Sequence, residues 1–487
     1  MGRPSVHGGL SRRLPLVVFV LAACWCAPSG ASAAVADGFY GIDGQSVFNA
    51  PGSTWSTQLD AMASGGLQVV RAEANWWTIE PAPPEDGWHT WDWSQDDAMV
   101  QALAEHGLRW APVLDAAPDW ADNGPNDFTP SASHTGDYAA FAAAVARRYG
   151  RGGEFWSEHD SLTPLPVTDY EIWNEENSIS FWPSQADAPE RYADLFAAAR
   201  QSIKAVDPQA RVVIGGLGLV NPPNTSDETE FLRRMIAHRP ELRGTIDGVG
   251  LHPYQATVAD TLRRLAGVRA NIDEVLGPGV PIDITELGWT TAAMPEWQRA
   301  YDVSTLAADL PQSGCGIHRL IIYAWLTSEN DPANPEDWFG IWNWDGSGKQ
   351  SGIAYLNAVL AMRGISGQAQ TGAPAVCGQV PAVTVTAKPR GPRLQLRLAT
   401  DKRHRRLSVF ARCPSGCSLR MDLLRRRRGH SRKLTPVAHR AARFSSRRRH
   451  FRMRIPRRAG RLKLNVVASG SGGGKTTRVR WVRSPRR

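Results

Sequence analysis

The chain has 487 residues, 42% of them hydrophobic, which is too long for one ordinary domain and apolar enough for one large core with an appendage. Its net charge of +9 hides two opposed parts: residues 381–487 carry 33 Lys and Arg against only two acids, Asp401 and Asp422, while the rest of the chain is acidic. That asymmetry excludes a single uniform domain and marks two units with different jobs.

At the N-terminus, Arg12 and Arg13 precede an apolar run from Leu14 to Ala23, and Ala31-Ser32-Ala33 offers a small-residue cleavage site, so residues 1–33 read as an export signal. The run is too short to span a bilayer. Leu21-Ala22-Ala23-Cys24 also resembles a bacterial lipobox, in which Cys24 would be acylated and tether the protein. Free secretion is favoured over the tether, and either route places the mature chain outside the cytoplasm.

From residue 34 to 365, strand-like runs alternate with amphipathic runs eight times. The strands are expected at Phe39 to Ile42, Leu67 to Arg71, Leu108 to Leu114, Tyr170 to Trp173, Arg211 to Gly215, Gly248 to Leu251, Ile282 to Thr285 and Leu320 to Ala324. Helical patterns lie near 56–65, 93–106, 136–149, 189–206, 228–238, 258–276, 296–310 and 352–363. Eight such units fit a closed (β/α)8 TIM barrel. An open doubly wound sheet would bring a glycine-rich phosphate loop after the first strand, and Tyr40-Gly41-Ile42-Asp43-Gly44 does not supply one.

A Gly/Ala/Gln/Pro linker (366–380) leads to an Arg-rich module (381–487) with period-two runs at Leu394 to Leu398, Leu407 to Ala411, Phe451 to Ile455, Leu462 to Val466 and Val479 to Val482. These predict a small antiparallel β-sandwich with basic outward positions. Its stretch Gly470 to Thr477 mimics a nucleotide loop, but Ser469 stands where the first glycine should, and strands flank it where a helix should follow; a hairpin loop is expected. Of the cysteines beyond the signal, Cys413 and Cys417 suit a local disulfide and Cys315 with Cys377 the remaining pair. No metal or cofactor is expected, since no histidine or further cysteine stands at ligand spacing.

In a barrel, polar residues at the C-terminal strand ends mark the active face. Here those ends hold Arg71, Asp115, Asn174 with Glu175, His252 with Tyr254, Glu286 and Trp325. Two acids held at strand ends, Glu175 in EIWNEEN and Glu286 in PIDITELGW, suit acid/base work on an ether-like bond. Seventeen of the 19 tryptophans lie from Trp55 to Trp344, and indole stacks on the apolar faces of sugars; Trp76, Trp120, Trp182 and Trp289 follow strand ends and are candidates to line a cleft. Trp88, Trp91 and Trp93 sit beside a helix start and are expected to be structural, and Glu73 and Glu80 to serve in ion pairs or caps.

Trp-Asn-Glu ending strand four, Ile-Thr-Glu ending strand seven, an Arg ending strand two and a Trp ending strand eight together resemble clan A glycoside hydrolases, especially families 5 and 39, over about residues 38–364. The resemblance implies a retaining mechanism in which Glu175 is the acid/base and Glu286 the nucleophile. It further implies that Arg71 and Tyr254 donate hydrogen bonds to Glu286, that Asn174 binds the sugar 2-hydroxyl, that His252 lines the pocket and that Trp325 floors the cleaved-sugar subsite. One departure is Glu176, where related enzymes carry Pro; alternation at a strand end points it away from the pocket.

The expected function is thus an exported glycosidase acting on a β-linked polysaccharide or oligosaccharide, with a monomeric barrel. The alternatives are a carbohydrate- or wall-binding protein whose barrel no longer turns over, and an adhesion protein acting through its Arg-rich module. For that module, acidic wall polymers or anionic headgroups are the expected partners, beside a solvated basic surface with none; nucleic acid is disfavoured, because stacking aromatics are reduced to Phe410, Phe444, Phe451 and Trp481.

Overall fold

The computed structural model describes residues 35–125, 127–218, 227–366, 375–378, 395–401, 406–412, 417–426, 434–444, 449–455, 461–469 and 475–483. The export signal with Cys24, most of the linker and Cys413 lie outside these residues. The chain divides into two compact units, Met1–Ala382 and Val383–Arg487.

The first unit is a closed barrel of eight parallel strands in sequential order: β1 (Tyr40–Asp43), β2 (Val69–Asn75), β3 (Arg109–Asp115), β4 (Asp169–Asn174), β5 (Arg211–Gly218), β6 (Gly248–His252), β7 (Ile282–Leu287) and β8 (Ile317–Ile322). Each expected strand is present within a few residues. Along β2, Val70, Ala72 and Ala74 pack into the main hydrophobic core, while the alternate positions Arg71, Glu73 and Asn75 carry polar groups. The eight principal helices begin and end within two residues of their expected bounds, because apolar residues recur at helical spacing; in Ala188–Val206 the buried set includes Tyr192, Leu195, Phe196, Ala199 and Ile203.

Ion pairs close the bottom of the barrel. Arg211 binds Asp169 and places Nη2 2.7 Å from Asp283 Oδ2, and Arg319 lies 3.2 Å from Asp169. Burial opposes both carboxylates, but the arginines outweigh it and hold Asp169 and Asp283 below the ordinary range. Asp169, Asp283 and His318 have donor types that suit a metal. They sit at the N-terminal strand ends with arginines already in place, which reads as a stabilising network rather than a cation site.

The second unit contains a three-stranded antiparallel sheet, β13 (Arg449–Arg454), β10 (Arg406–Arg412), β9 (Gln395–Asp401), and a four-stranded one, β12 (Leu434–Phe444), β11 (Cys417–Arg426), β14 (Arg461–Ser469), β15 (Lys475–Arg483). Leu407, Val409, Leu419, Met421, Leu423, Leu464 and Val466 share one core, so the two sheets form the expected sandwich. β11 and β12 are absent from the sequence expectation: Leu419, Met421 and Leu423 alternate inward, but Arg425 to Arg428 mask the period. Ser469 pairs with Lys475, so strands flank the glycine-rich stretch and no helix follows it.

Cys315 and Cys377 are bonded across a sequence separation of 62, and Cys417 is also disulfide-bonded. The first bond ties the segment after the last barrel helix to the entry of β8, where the N–H groups of Val376 and Cys377 both donate to the Ser313 carbonyl. Replacing both Cys315 and Cys377 by Ala should lower the unfolding free energy by about 2–4 kcal/mol in chemical denaturation. An unchanged midpoint would show that the covalent link contributes nothing.

Candidate active site

The site is organised around one guanidinium. Arg71, on β2 and buried, donates from Nε to Glu171 Oε2 (2.9 Å), from Nη2 to Asn174 Oδ1 (2.8 Å) and from Nη1 to Glu286 Oε1 (2.7 Å) and Asp43 Oδ2 (3.2 Å). Glu171 takes a second contact from Nη2 at 3.4 Å, a fork-on-fork grip that fixes the plane of the group. The other oxygen of Glu286 accepts from Tyr254 Oη at 3.1 Å. Burial, with the charge of Glu286 behind it, raises the Tyr254 hydroxyl well above its usual range, so it stays a donor.

One positive charge faces three carboxylates, and they cannot all be compensated. Glu171 and Glu286 hold the shorter contacts; Asp43, enclosed and further away, is pushed up to about 7 by burial, reinforced by Glu286 and Glu73 and only partly offset by Arg71. Asp43 is thus the member of the cluster that changes charge near neutrality. A small cavity of about 20 Å³ lies beneath, lined by Arg71, Glu171, Asp169, Asp283, Thr285 and Arg319. It is inside the barrel, has room for one water, and is not the cleft.

Glu175 comes from a kink at the end of β4. Trp173 and Glu175 both have positive φ, 69° and 43°, a strained region for non-glycine residues and one that concentrates at functional sites. Trp173 is anchored by packing on Tyr138 and Trp182, with its indole N–H donating to the Phe181 carbonyl. Asn177 then locks the loop to β5 by exchanging two 2.9 Å bonds with the backbone of Gly218.

Room for the acid is made by glycines on β5. A Cβ on Gly216 would fall 1.9 Å from His252 Nε2, and one on Gly218 would sit 3.4 Å from the Glu175 carboxyl. His252, wholly buried, bridges the two acids: Nδ1 lies 2.8 Å from Glu175 Oε1 and 3.6 Å from Glu286 Oε2, while Nε2 meets Thr285 Oγ1 at 3.1 Å. The two carboxylate oxygens can therefore be no further apart than those Nδ1 distances laid end to end, a span that accommodates the ~5–5.5 Å of a retaining pair. Burial opposes the imidazolium, but Glu286 and Glu175 together outweigh it and raise the His252 pKa.

Arg71, Asn174, Glu175, His252, Tyr254 and Glu286 therefore converge, and Asp115 stands at the same barrel face. The tryptophans mostly do not line the cleft as expected. Trp76 is fully buried against Trp120, Tyr138 and Phe141, because its neighbour takes the exposed side of a short helical turn. Trp182 is buried between Trp173 and Tyr192, with Arg191 over its ring. Trp289 is buried too and donates to the Gln255 carbonyl, pinning the loop after β6. Trp325 is fully enclosed, stacked on Trp342 at 4.6 Å and bonded to Gln58, so it offers no open floor in this state. Trp88, expected to be structural, is 80% exposed.

Glu176 points away from the cleft but into protein rather than solvent. Its carboxyl is fully buried beside Gly215, and burial drives it well above the ordinary range, so it is a neutral acid. Glu80 accepts from Trp76 and pairs with His89, and Glu73 accepts from Asn75, as ion-pair and polar-contact roles require. Sequence reasoning missed Glu171, Asp43 and the β5 glycines. The run Ile214-Gly215-Gly216-Leu217-Gly218 carried a signal, since three glycines in a buried strand announce close approach.

An eight-stranded barrel with paired carboxylates at the ends of β4 and β7 has the architecture of clan A glycoside hydrolases. No family model matches the chain. Solved structures of the same fold include a monomeric β-xylosidase from Caulobacter crescentus, with TM-score 0.51 and 17% identity over 87% of this chain and 95% of that one. The GH39 enzyme from Xanthomonas axonopodis pv. citri is similar, with TM-score 0.50 and 17% identity over 87% and 93%. Among curated proteins, a β-xylosidase from Geobacillus stearothermophilus is 26% identical over 164 residues, covering 30% of this chain and 31% of that protein. The chain thus matches about a third of the length of that relative.

Two variants test the geometry. Gly216→Ala forces a methyl into the His252 ring and should cost about 1–3 kcal/mol in stability, with His252 displaced from both carboxylates; a crystal structure with the imidazole unmoved would contradict this. Asp43 binds its proton more tightly folded than unfolded, so its contribution is fully present below about pH 4 and is lost as pH rises through about 7, on the order of 1.4 kcal/mol for each tenfold difference in proton affinity between the two states. Asp43→Asn should therefore gain stability relative to wild type between about pH 5 and about pH 8, and parallel pH curves would contradict the assignment.

Proposed function

We propose that the protein is a retaining glycosidase that hydrolyses O-glycosyl bonds of a β-linked oligosaccharide or polysaccharide. The observation that carries this reading is the convergence of Glu175 and Glu286 on one imidazole nitrogen, with Glu286 alone gripped by Arg71 and Tyr254. Those donors favour an ionised Glu286 and aim its oxygens. In the first step a Glu286 oxygen bonds to the anomeric carbon as the glycosidic C–O bond breaks, and the departing oxygen takes the proton of Glu175.

In the second step Glu175, now a carboxylate, accepts a proton from water as that water attacks the same carbon, and Glu286 leaves as carboxylate. The contact between Glu175 and His252 serves both stages. With Glu175 ionised, Nδ1–H donates to it; with Glu175 protonated and the imidazole neutral, the acid donates to nitrogen. Asn174 gives its amide oxygen to Arg71, which leaves its NH2 for the sugar 2-hydroxyl.

The second part of the proposal concerns place and partner. The N-terminal segment supports export, and among the described residues no helix is long and apolar enough to cross a membrane. The Arg-rich sandwich would hold the enzyme on an anionic surface: Arg406, Arg420, Arg452 and Arg454 are exposed, and Asp422, one of its two acids, is engaged by Arg420 and His439 at 3.1 and 2.6 Å.

Glu286→Ala should lower kcat by at least about 10⁴-fold on aryl β-glycosides, whereas Glu175→Gln should be impaired far less on substrates with a good leaving group than on natural sugars. Equal loss on both substrate types would remove Glu175 from the acid role. Deleting residues 383–487 should abolish salt-dependent retention on isolated cell walls while the barrel still cleaves soluble substrate; retention unaffected by the deletion would eliminate the adhesive role.

A further inference from the structure

Beside the catalytic pair, the ends of β2 and β3 present a set of polar and aromatic groups that the hydrolytic steps do not use. Asn75 and Asp115 are register partners at the C-terminal ends of the two strands. Glu73 precedes Asn75 on the same face of β2, is exposed, and accepts from the Asn75 amide at 3.1 Å. One residue past Asp115, Ala116 turns the chain with φ of 54°, and its carbonyl accepts from the backbone N–H of Trp77 at 3.0 Å. Trp77 is 54% exposed while its neighbour Trp76 is wholly buried, so this turn shows one indole to solvent at the rim of the active face.

Asp115 supplies the second observation. Its Oδ1 is enclosed and has no hydrogen-bond partner among the described residues. An enclosed carboxyl oxygen without a partner is costly, and such a group in a cleft calls for a ligand or water. Burial, reinforced by Glu73, raises its pKa well above the ordinary range, so the group offers an O–H donor and a carbonyl acceptor together. That combination matches a sugar hydroxyl, which also donates and accepts, and an exposed indole matches the C–H face of the ring.

We propose that Trp77, Asp115, Asn75 and Glu73 form a binding subsite for a second, uncharged glycosyl unit next to the one whose bond is cut. The selection for an uncharged sugar follows from the local charges. Arg71 is the cation beside these groups, and it is already gripped by Glu171, Glu286 and Asp43. A uronate carboxylate placed here would face Glu73 and Asp115 with no free donor to neutralise it. The inference rests on the hydrolase reading and deepens it, since it makes the substrate a chain of at least two neutral sugars.

The test uses the full chain carrying Glu286→Gln, so that sugars bind without turnover, with calorimetric titration of xylotetraose, cellotetraose, mannotetraose and trigalacturonate. At least one neutral tetraose should bind and trigalacturonate should not. Adding Trp77→Ala or Asp115→Leu should weaken that binding roughly tenfold, about 1.4 kcal/mol, while Asp115→Asn, whose amide also donates and accepts, should keep most of it. Trp77 is exposed, so Trp77→Ala stays folded and decides the matter if Asp115→Leu does not. Tetraose affinity unchanged by Trp77→Ala, or trigalacturonate bound as tightly as the neutral chains, overturns the subsite. Wild-type cleavage of the same panel separates the two claims: cleavage with unaltered binding in Trp77→Ala sinks the subsite alone. Absence of cleavage, with binding that depends on Trp77 and Asp115, sinks the hydrolase alone.

Discussion

The site depends on how the charge of Arg71 is divided. A guanidinium offers five N–H donors in a fixed plane, and here that plane is set from below by Glu171 before any catalytic group is reached. What remains points upward at Glu286, Asn174 and Asp43. Two residues at different strand ends, the nucleophile candidate on β7 and the sugar-binding amide on β4, are therefore aligned by one side chain on β2. Desolvating such a cluster is expensive, and the excess of carboxylate over guanidinium charge is relieved by Asp43 keeping its proton up to about neutral pH.

Differentiation of the two acids follows from the same arrangement. Glu286 receives two donors, Arg71 and Tyr254, whereas Glu175 touches neither and meets only the ambivalent nitrogen of His252. One acid is held for attack and the other for proton exchange. Backbone geometry maintains the difference: left-handed Trp173 and Glu175 turn the end of β4 inward, and side-chain-free Gly216 and Gly218 on β5 leave space for His252 and the Glu175 carboxyl. Strain at β4 and emptiness at β5 are complementary halves of one device.

Much of the fold was legible because β/α alternation writes itself in period and composition. Val, Ile and Leu runs closed by a polar residue located all eight strands, and those polar residues are the ones that converge. The tryptophans were not legible in the same way. Trp76 and Trp77 are adjacent and chemically identical, and only the turn that buries one and exposes the other tells a core residue from a candidate sugar platform. Glu171 reads in sequence as one acid inside a strand, and its purpose emerges only when barrel closure brings it to Arg71. The second unit's β11 and β12 were hidden by arginines, which suppress the hydrophobic alternation that β11 nevertheless buries through Leu419, Met421 and Leu423.

Double displacement requires two carboxylates close enough, and different enough, to act in sequence on the same carbon. The most direct measurement of that chemistry is the anomeric configuration of the first-formed product, followed by proton NMR in D2O before mutarotation on a β-glycoside the enzyme cleaves. With Glu286 as nucleophile, the β-anomer accumulates first and the α-anomer grows in only as the solution equilibrates. First appearance of the α-anomer would mean direct displacement by water, and would contradict the role given to Glu286.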